Sequence, residues 1–220
     1  MTPMKRGDRQ MLMGSVLLSK RYLPWMASAV LLLSLHSVSP ALGNESVHLE
    51  EEGFLLGWST GELDLDDGDG HYEVIPLTYR LQYDVSGWLD NWLDLDLPGE
   101  LDVALEPFVG MGTTPSGEFE VGLAAMAKFE LFSEEEGRKV NPYVDLGGGF
   151  IYTTLDWEET TQYNLLLQGG LGIDFRLSDR GNRLAVGTRL RHYSNAGLNE
   201  RNRGVNNVYL FLGYSWRSSP

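Results

Sequence analysis

From residue 44 onward the chain alternates apolar and polar positions with a period of two, in stretches bounded by Gly, Asn, Asp, Pro and Ser. The longest stretch runs from Tyr163 to Leu177. Tyr163, Leu165, Leu167, Gly169, Leu171, Ile173, Phe175 and Leu177 share one face, and Asn164, Leu166, Gln168, Gly170, Gly172, Asp174 and Arg176 share the other. The pattern recurs in Phe119–Leu131, where Glu118, Glu120, Met126, Lys128 and Glu130 oppose the apolar set. It also recurs in 101–110, 75–83 and 143–152. Eight strands are predicted in all, near 50–59, 71–84, 99–112, 117–133, 141–154, 161–178, 183–195 and 205–217. No stretch after residue 44 carries a helical period of any length.

Strands this long, even in number and joined by turn residues, predict an all-β fold, an eight-stranded antiparallel transmembrane β-barrel of the bacterial outer membrane. The polar face carries both signs of charge (Arg80, Glu106, Lys128, Glu130, Asp145, Asp174, Arg176, Arg189, Arg191). Eight strands enclose a space about wide enough for side chains to fill, so this face reads as a packed, hydrogen-bonded plug and not as a pore. A soluble lipocalin-like barrel, with its apolar face inward, is the structural alternative. With a periplasmic N-terminus, the loops after strands 1, 3, 5 and 7 face outside and 178–183 is a periplasmic turn. The connection 86–98, with Trp88, Leu89, Trp92 and Leu93, reads as an interfacial segment. Tyr72, Tyr152, Tyr163, Tyr214 and Trp216 read as an aromatic girdle.

Composition sharpens the picture at the N-terminus. Basic residues (Lys5, Arg6, Arg9, Lys20, Arg21) precede the apolar run 25–35 and then small residues at Ala41 and Gly43, so residues 1–43 read as a cleaved signal peptide and 44–220 as one barrel domain. An uncleaved anchor is the alternative. The net charge of −14 becomes −18 for residues 44–220. That acidity excludes sequence-independent nucleic-acid binding, which needs Lys and Arg at the phosphates. The absence of cysteine excludes disulfides and thiolate chemistry. Mean hydropathy of −0.21 argues against a helical membrane protein, but it is also what two averaged faces of a barrel produce.

Candidate chemistry sits where strand 7 ends. Alternation places His192 and Ser194 together on the apolar face, and Asn206 opens the same face of strand 8. A Ser hydroxyl is inert at its free pKa, and a neighbouring imidazole can take its proton. A polar pair on a lipid-facing surface is costly unless the substrate is a lipid. With His192-Tyr-Ser194-Asn-Ala-Gly-Leu198, the Asn- and Gly-rich loop that follows and eight strands after a signal peptide, the chain resembles the outer-membrane lipid A 3-O-deacylases (PagL-like, often labelled acyloxyacyl hydrolases) over about 50–217. The resemblance implies Ser194 as nucleophile and His192 as general base. Asn195, by its side chain or with the backbone N–H groups of Ala196 and Gly197, would serve an oxyanion hole. It implies lipid A or lipopolysaccharide as substrate, other outer-membrane lipids as surroundings, and no cofactor. A homodimer is left open.

One position departs from that family: its third catalytic member is a Glu, and Asn206 stands in its place. An amide can orient a histidine but cannot stabilise imidazolium by charge. Glu200, Glu158 and Glu159 are candidate substitutes. A catalytically weak or inactive, lipopolysaccharide-binding barrel is the alternative function, and acyl transfer or phospholipid hydrolysis would share the same nucleophile. Gly57-Trp-Ser-Thr-Gly61 matches G-x-S-x-G but lacks the strand-to-helix elbow that motif needs. The acidic cluster Asp64, Asp66, Asp67 and Asp69 lacks calcium-loop spacing and reads as a solvated outer loop. His48 and His71 are isolated, and no metal site is expected.

Overall fold

A computed structural model of the 220-residue chain describes residues 48–65, 68–85, 99–132, 137–155, 161–198 and 204–218, with the backbone alone for 48, 62–65 and 68–70. Eight strands close into one barrel: β1 (His48–Leu65), β2 (Gly68–Asp84), β3 (Glu100–Thr114), β4 (Ser116–Glu130), β5 (Val140–Thr153), β6 (Tyr163–Arg176), β7 (Arg183–Ser194) and β8 (Val205–Arg217). Every neighbour is antiparallel, and β1 pairs with β8 from Glu51↔Arg217 to Thr60↔Val208, so no sheet edge is left open. The proposed signal peptide 1–43, the segment 86–98 and the residues Glu158, Glu159 and Glu200 lie outside the described residues.

The alternation settles which way each face points. Leu146, Phe150, Leu171 and Leu190 are among 24 large apolar side chains exposed on the described surface, while Arg80, Glu106, Lys128, Asp145, Arg189 and Arg191 are buried inside. Fully burying one such side chain is worth roughly 1.5–3 kcal/mol, so a belt this size exposed to water would cost more than a whole domain's stability margin. The barrel is therefore built for lipid outside and is the inverse of a lipocalin. Aromatic clusters mark both rims of the belt. Phe119, Tyr152 and Tyr163 gather at the end where β7 finishes, with Tyr152 and Tyr163 centroids 5.0 Å apart. Phe54, Tyr79, Tyr214 and Trp216 gather at the opposite end. Such rings sit at the headgroup level.

Inside, the charges are matched. Arg189 donates from Nη1 to Glu106 Oε2 (2.7 Å) and from Nη2 to Asp145 Oδ2 (2.6 Å), and Arg80 Nε donates to Glu106 Oε1 (2.8 Å). One layer away, Lys128 Nζ reaches both Glu130 and Asp174 at 2.6 Å, and Arg183 bridges Glu51 and Glu130 at 2.7 and 2.8 Å. This is the packed plug expected from the sequence. Gly122, Gly172 and Gly187 make room for inward rings: a Cβ at each would lie 2.4 Å from Phe108, Tyr143 or Phe211.

Two expectations need correction. Asp64 and Asp69 do not lie in an open loop: β1 and β2 continue as a ladder through Asp64↔Asp69 to Leu65↔Gly68. The backbone ladder outlasts the apolar belt there, and strand length is set by pairing rather than by lipid contact. Tyr72 is no girdle residue. It alternates with His71 and Glu73 and is fully buried, its hydroxyl donating to Glu120 Oε2 at 3.3 Å inside the barrel.

Candidate active site

β7 carries the site because its two faces are anchored differently. Arg191, Tyr193 and Asn195 point inward and are buried, with Arg191 Nη2 donating to Glu120 Oε1 at 3.1 Å. Tyr193 packs in the interior cluster with Tyr72, Leu166 and Val205. The residues between them, His192 and Ser194, are held on the outer face by this clamped backbone. Their strand partners complete a row across the outer surface: Leu167 of β6 opposite His192, Leu165 opposite Ser194, and Asn206 of β8 opposite His192.

The three polar side chains meet. His192 Nδ1 lies 2.8 Å from Asn206 Oδ1, and His192 Nε2 lies 3.3 Å from Ser194 Oγ. An amide oxygen can only accept, so the first contact places the ring proton on Nδ1. Nε2 then presents its lone pair to the Ser194 hydroxyl, the arrangement a general base requires. The 3.3 Å separation is at the long end for such a pair, as is common before substrate tightens it.

After Ser194 the chain turns sharply. Ala196 has φ +54° and Gly197 φ +78°, the left-handed region that costs an alanine but not a glycine. Asn195 holds this turn: its Oδ1 accepts from Gly197 N at 3.0 Å, and its carbonyl accepts from Leu198 N at 3.1 Å. The Asn195 side chain is thus buried and committed to the turn. Leu198 ends the turn as the most exposed large apolar residue among the described side chains, at 88 %.

A residue that the sequence reading passed over closes the site. Gly204 has φ +74°, and a Cβ there would lie 3.0 Å from both His192 Cε1 and Ser194 Cβ and 2.9 Å from Tyr193 O. Only glycine satisfies both the backbone and the space. The sequence signal was an Arg-Gly step just before a strand, which reads as an ordinary turn.

The other candidates separate from this centre. Ser59 of the G-x-S-x-G match is buried mid-strand in β1, with no helix after it. His71 lies on β2, its Nε2 3.1 Å from Glu73 Oε1 and 3.2 Å from Thr60 Oγ1. Among the described residues no cluster of His, Asp and Glu is placed to hold a metal ion.

The molecule is therefore an outer-membrane β-barrel with a serine, a histidine and an amide assembled on its lipid-facing wall at one aromatic rim. The family described as Lipid A 3-O-deacylase (PagL) matches residues 77–215, well over half of the chain, and the chain belongs to that family. The fold is similar to that in the crystal structure of the outer membrane enzyme PagL, at 20% identity and TM-score 0.53, over 74% of this chain and 97% of that one. It is also similar to the crystal structure of Neisserial surface protein A (NspA), at 11% identity and TM-score 0.50, over 76% of this chain and 97% of that one. None of the curated protein sequences matches the chain.

Proposed function

We propose that this protein hydrolyses an ester-linked acyl chain of lipid A in the outer leaflet, with Ser194 as nucleophile and His192 as general base. The observation that carries the reading is the position of the His192–Ser194 pair: both side chains are on the lipid-facing wall, beside the Phe119–Tyr152–Tyr163 rim. That rim marks the headgroup level, and the ester bonds of a lipid lie close beneath its headgroup. Leu165 and Leu167 beside the pair and Leu190 below it offer an apolar wall for the acyl chain.

The chemistry follows from the two ring nitrogens. His192 Nε2 takes the Ser194 hydroxyl proton as Oγ bonds to the ester carbonyl carbon. The tetrahedral oxyanion is met by peptide N–H groups of the 195–197 turn. Gly197 N–H is already held by Asn195, so the Ala196 N–H is assigned as the donor and Asn195 as the residue that shapes the turn. Collapse breaks the carbon–alkoxide bond, and the imidazolium returns its proton to the departing sugar hydroxyl. Water, deprotonated by the same nitrogen, then attacks the acyl-enzyme, releasing the fatty acid and regenerating Ser194. Asn206 keeps the ring in the working tautomer throughout.

Mass spectra of lipid A from cells with and without the protein test this reading. It predicts a species lighter by one acyl chain and heavier by the hydrogen of the freed hydroxyl, only when the protein is present. Unchanged lipid A would leave a non-catalytic barrel. Altered phospholipid, or lipid A with a transferred chain, would keep the nucleophile and change the substrate or acceptor.

A further inference from the structure

Among the described residues, the two most exposed large apolar or aromatic side chains flank the nucleophile. Leu198 closes the turn after Ser194, and Tyr163 stands on the neighbouring strand β6 at 74 % exposure. Leu165 opposes Ser194, so Tyr163, two residues away on the same outer face, is the diagonal neighbour of Ser194 on its rim side. Diagonal neighbours in an antiparallel pair lie about 7–8 Å apart, within reach of an aromatic side chain. Tyr163 therefore sets an aromatic ring beside the reacting ester, on its headgroup side.

The ring is backed from behind and open in front. Its centroid lies 5.0 Å from that of Tyr152 at an interplanar angle of 59°, and Tyr152 lies 6.0 Å from Phe119. Thr161 Oγ1 donates to the Tyr163 carbonyl at 3.0 Å, and Asn164 Nδ2 donates to Thr161 O at 2.7 Å, which holds the start of β6. Interfacial anchoring alone does not call for so open a ring. At the opposite rim Tyr214 packs on Trp216 at 6.1 Å, Trp216 on Phe54 at 5.9 Å and Phe54 on Tyr79 at 5.0 Å, and Tyr214 is 44 % exposed. There the rings cover one another; beside Ser194 they support one ring and leave it uncovered.

The substrate brings a matching surface to this place. In an ester of a sugar the leaving oxygen is bonded directly to a carbon of the sugar ring, so the ring must lie against the carbonyl that Ser194 attacks. Sugar C–H bonds are polarised by the oxygens beside them, and the face of an aromatic ring is negative, so the two faces attract. A glycerophospholipid carries its esters on an open chain and presents no such face. We propose that Tyr163 stacks on the glucosamine ring that bears the scissile ester and so selects an acylated sugar over a glycerophospholipid. Tyr152 holds the Tyr163 ring in place for that contact. The assignment rests on the ester hydrolase proposed above and names the residue that recognises the sugar half of its substrate.

The contact is tested without turnover by NMR on the Ser194→Ala barrel in detergent micelles. The Tyr163 ring signals are identified by their loss in Tyr163→Leu. Nuclear Overhauser contacts from the Tyr163 ring to sugar-ring protons of added lipid A are expected; contacts to acyl or detergent methylenes alone overturn the proposal. Kinetics on micellar lipid A give the second reading. Tyr163→Leu is expected to raise KM about tenfold with kcat changed less than about threefold, and Tyr163→Phe, which keeps the ring, to restore KM to within about twofold of wild type. A loss in Tyr163→Phe as large as in Tyr163→Leu would assign the effect to the hydroxyl and overturn the stacking. If wild type shows the sugar contacts but releases no fatty acid, the hydrolase reading falls and the sugar site stands. If lipid A is cleaved and the sugar contacts are absent, the sugar site falls and the hydrolase stands.

Discussion

Among the described residues, the outer wall of the barrel carries two histidine clusters at the same rim, and they differ in how the imidazole nitrogens are shared. At β7–β8, His192 divides its nitrogens: Nδ1 faces Asn206 Oδ1 and Nε2 faces Ser194 Oγ. At β1–β2, His71 directs a single nitrogen, Nε2, to both Glu73 Oε1 and Thr60 Oγ1. A carboxylate accepts only, so Nε2 of His71 must carry a proton and has no lone pair for the threonine. The hydroxyl distances are nearly equal, 3.3 and 3.2 Å. Composition and distance therefore do not distinguish a base–nucleophile pair from a polar surface cluster; the partition of the imidazole does.

Substitutions in the two clusters are expected to differ widely in effect. Ser194→Ala removes the nucleophile and is expected to lower lipid A deacylation by at least about 10³-fold, read as fatty acid released from micellar lipid A. His192→Gln comes next, with a loss of about 10²–10⁴-fold, because the hydroxyl keeps its place and loses its base. Gly204→Ala costs about tenfold or more: an alanine at φ +74° is strained, and its Cβ presses on His192 Cε1 and Ser194 Cβ. The KM of Gly204→Ala should change little, since the wall of leucines is untouched. Thr60→Val and His71→Gln sharpen the contrast from the other side. Both are expected to leave deacylation within about twofold of wild type in the same assay.

Much of this was legible in the chain. Period-two alternation placed the lipid-facing and lumenal residues of β3–β8 correctly, because a buried ionic interior and an apolar belt impose opposite demands on successive residues. It also put His192, Ser194 and Asn206 on one face. What it missed lies where that contrast fades. Between Gly61 and Gly70 acidic residues and glycines leave only Leu63 and Leu65 as apolar positions, so the sequence reads as a loop although the backbone ladder continues. Tyr72 was misjudged for the same reason: alone, a tyrosine near a strand end suits either a girdle or a lumen, and only the contact with Glu120 decides. The role of Gly204 depends on a left-handed φ and on a three-way approach to His192, Tyr193 and Ser194, neither of which leaves a residue pattern. Asn195, expected beside the oxyanion, has its side-chain oxygen engaged in holding the turn.

The proposed hydrolase requires that His192 activate Ser194 and that His71 activate nothing. A serine-reactive fluorophosphonate applied to the folded barrel in detergent, followed by peptide mapping, measures that claim without assuming a substrate. Covalent label is expected on Ser194 alone, abolished in His192→Gln and unchanged in His71→Gln. No label on Ser194, or equal labelling in His192→Gln, would contradict it.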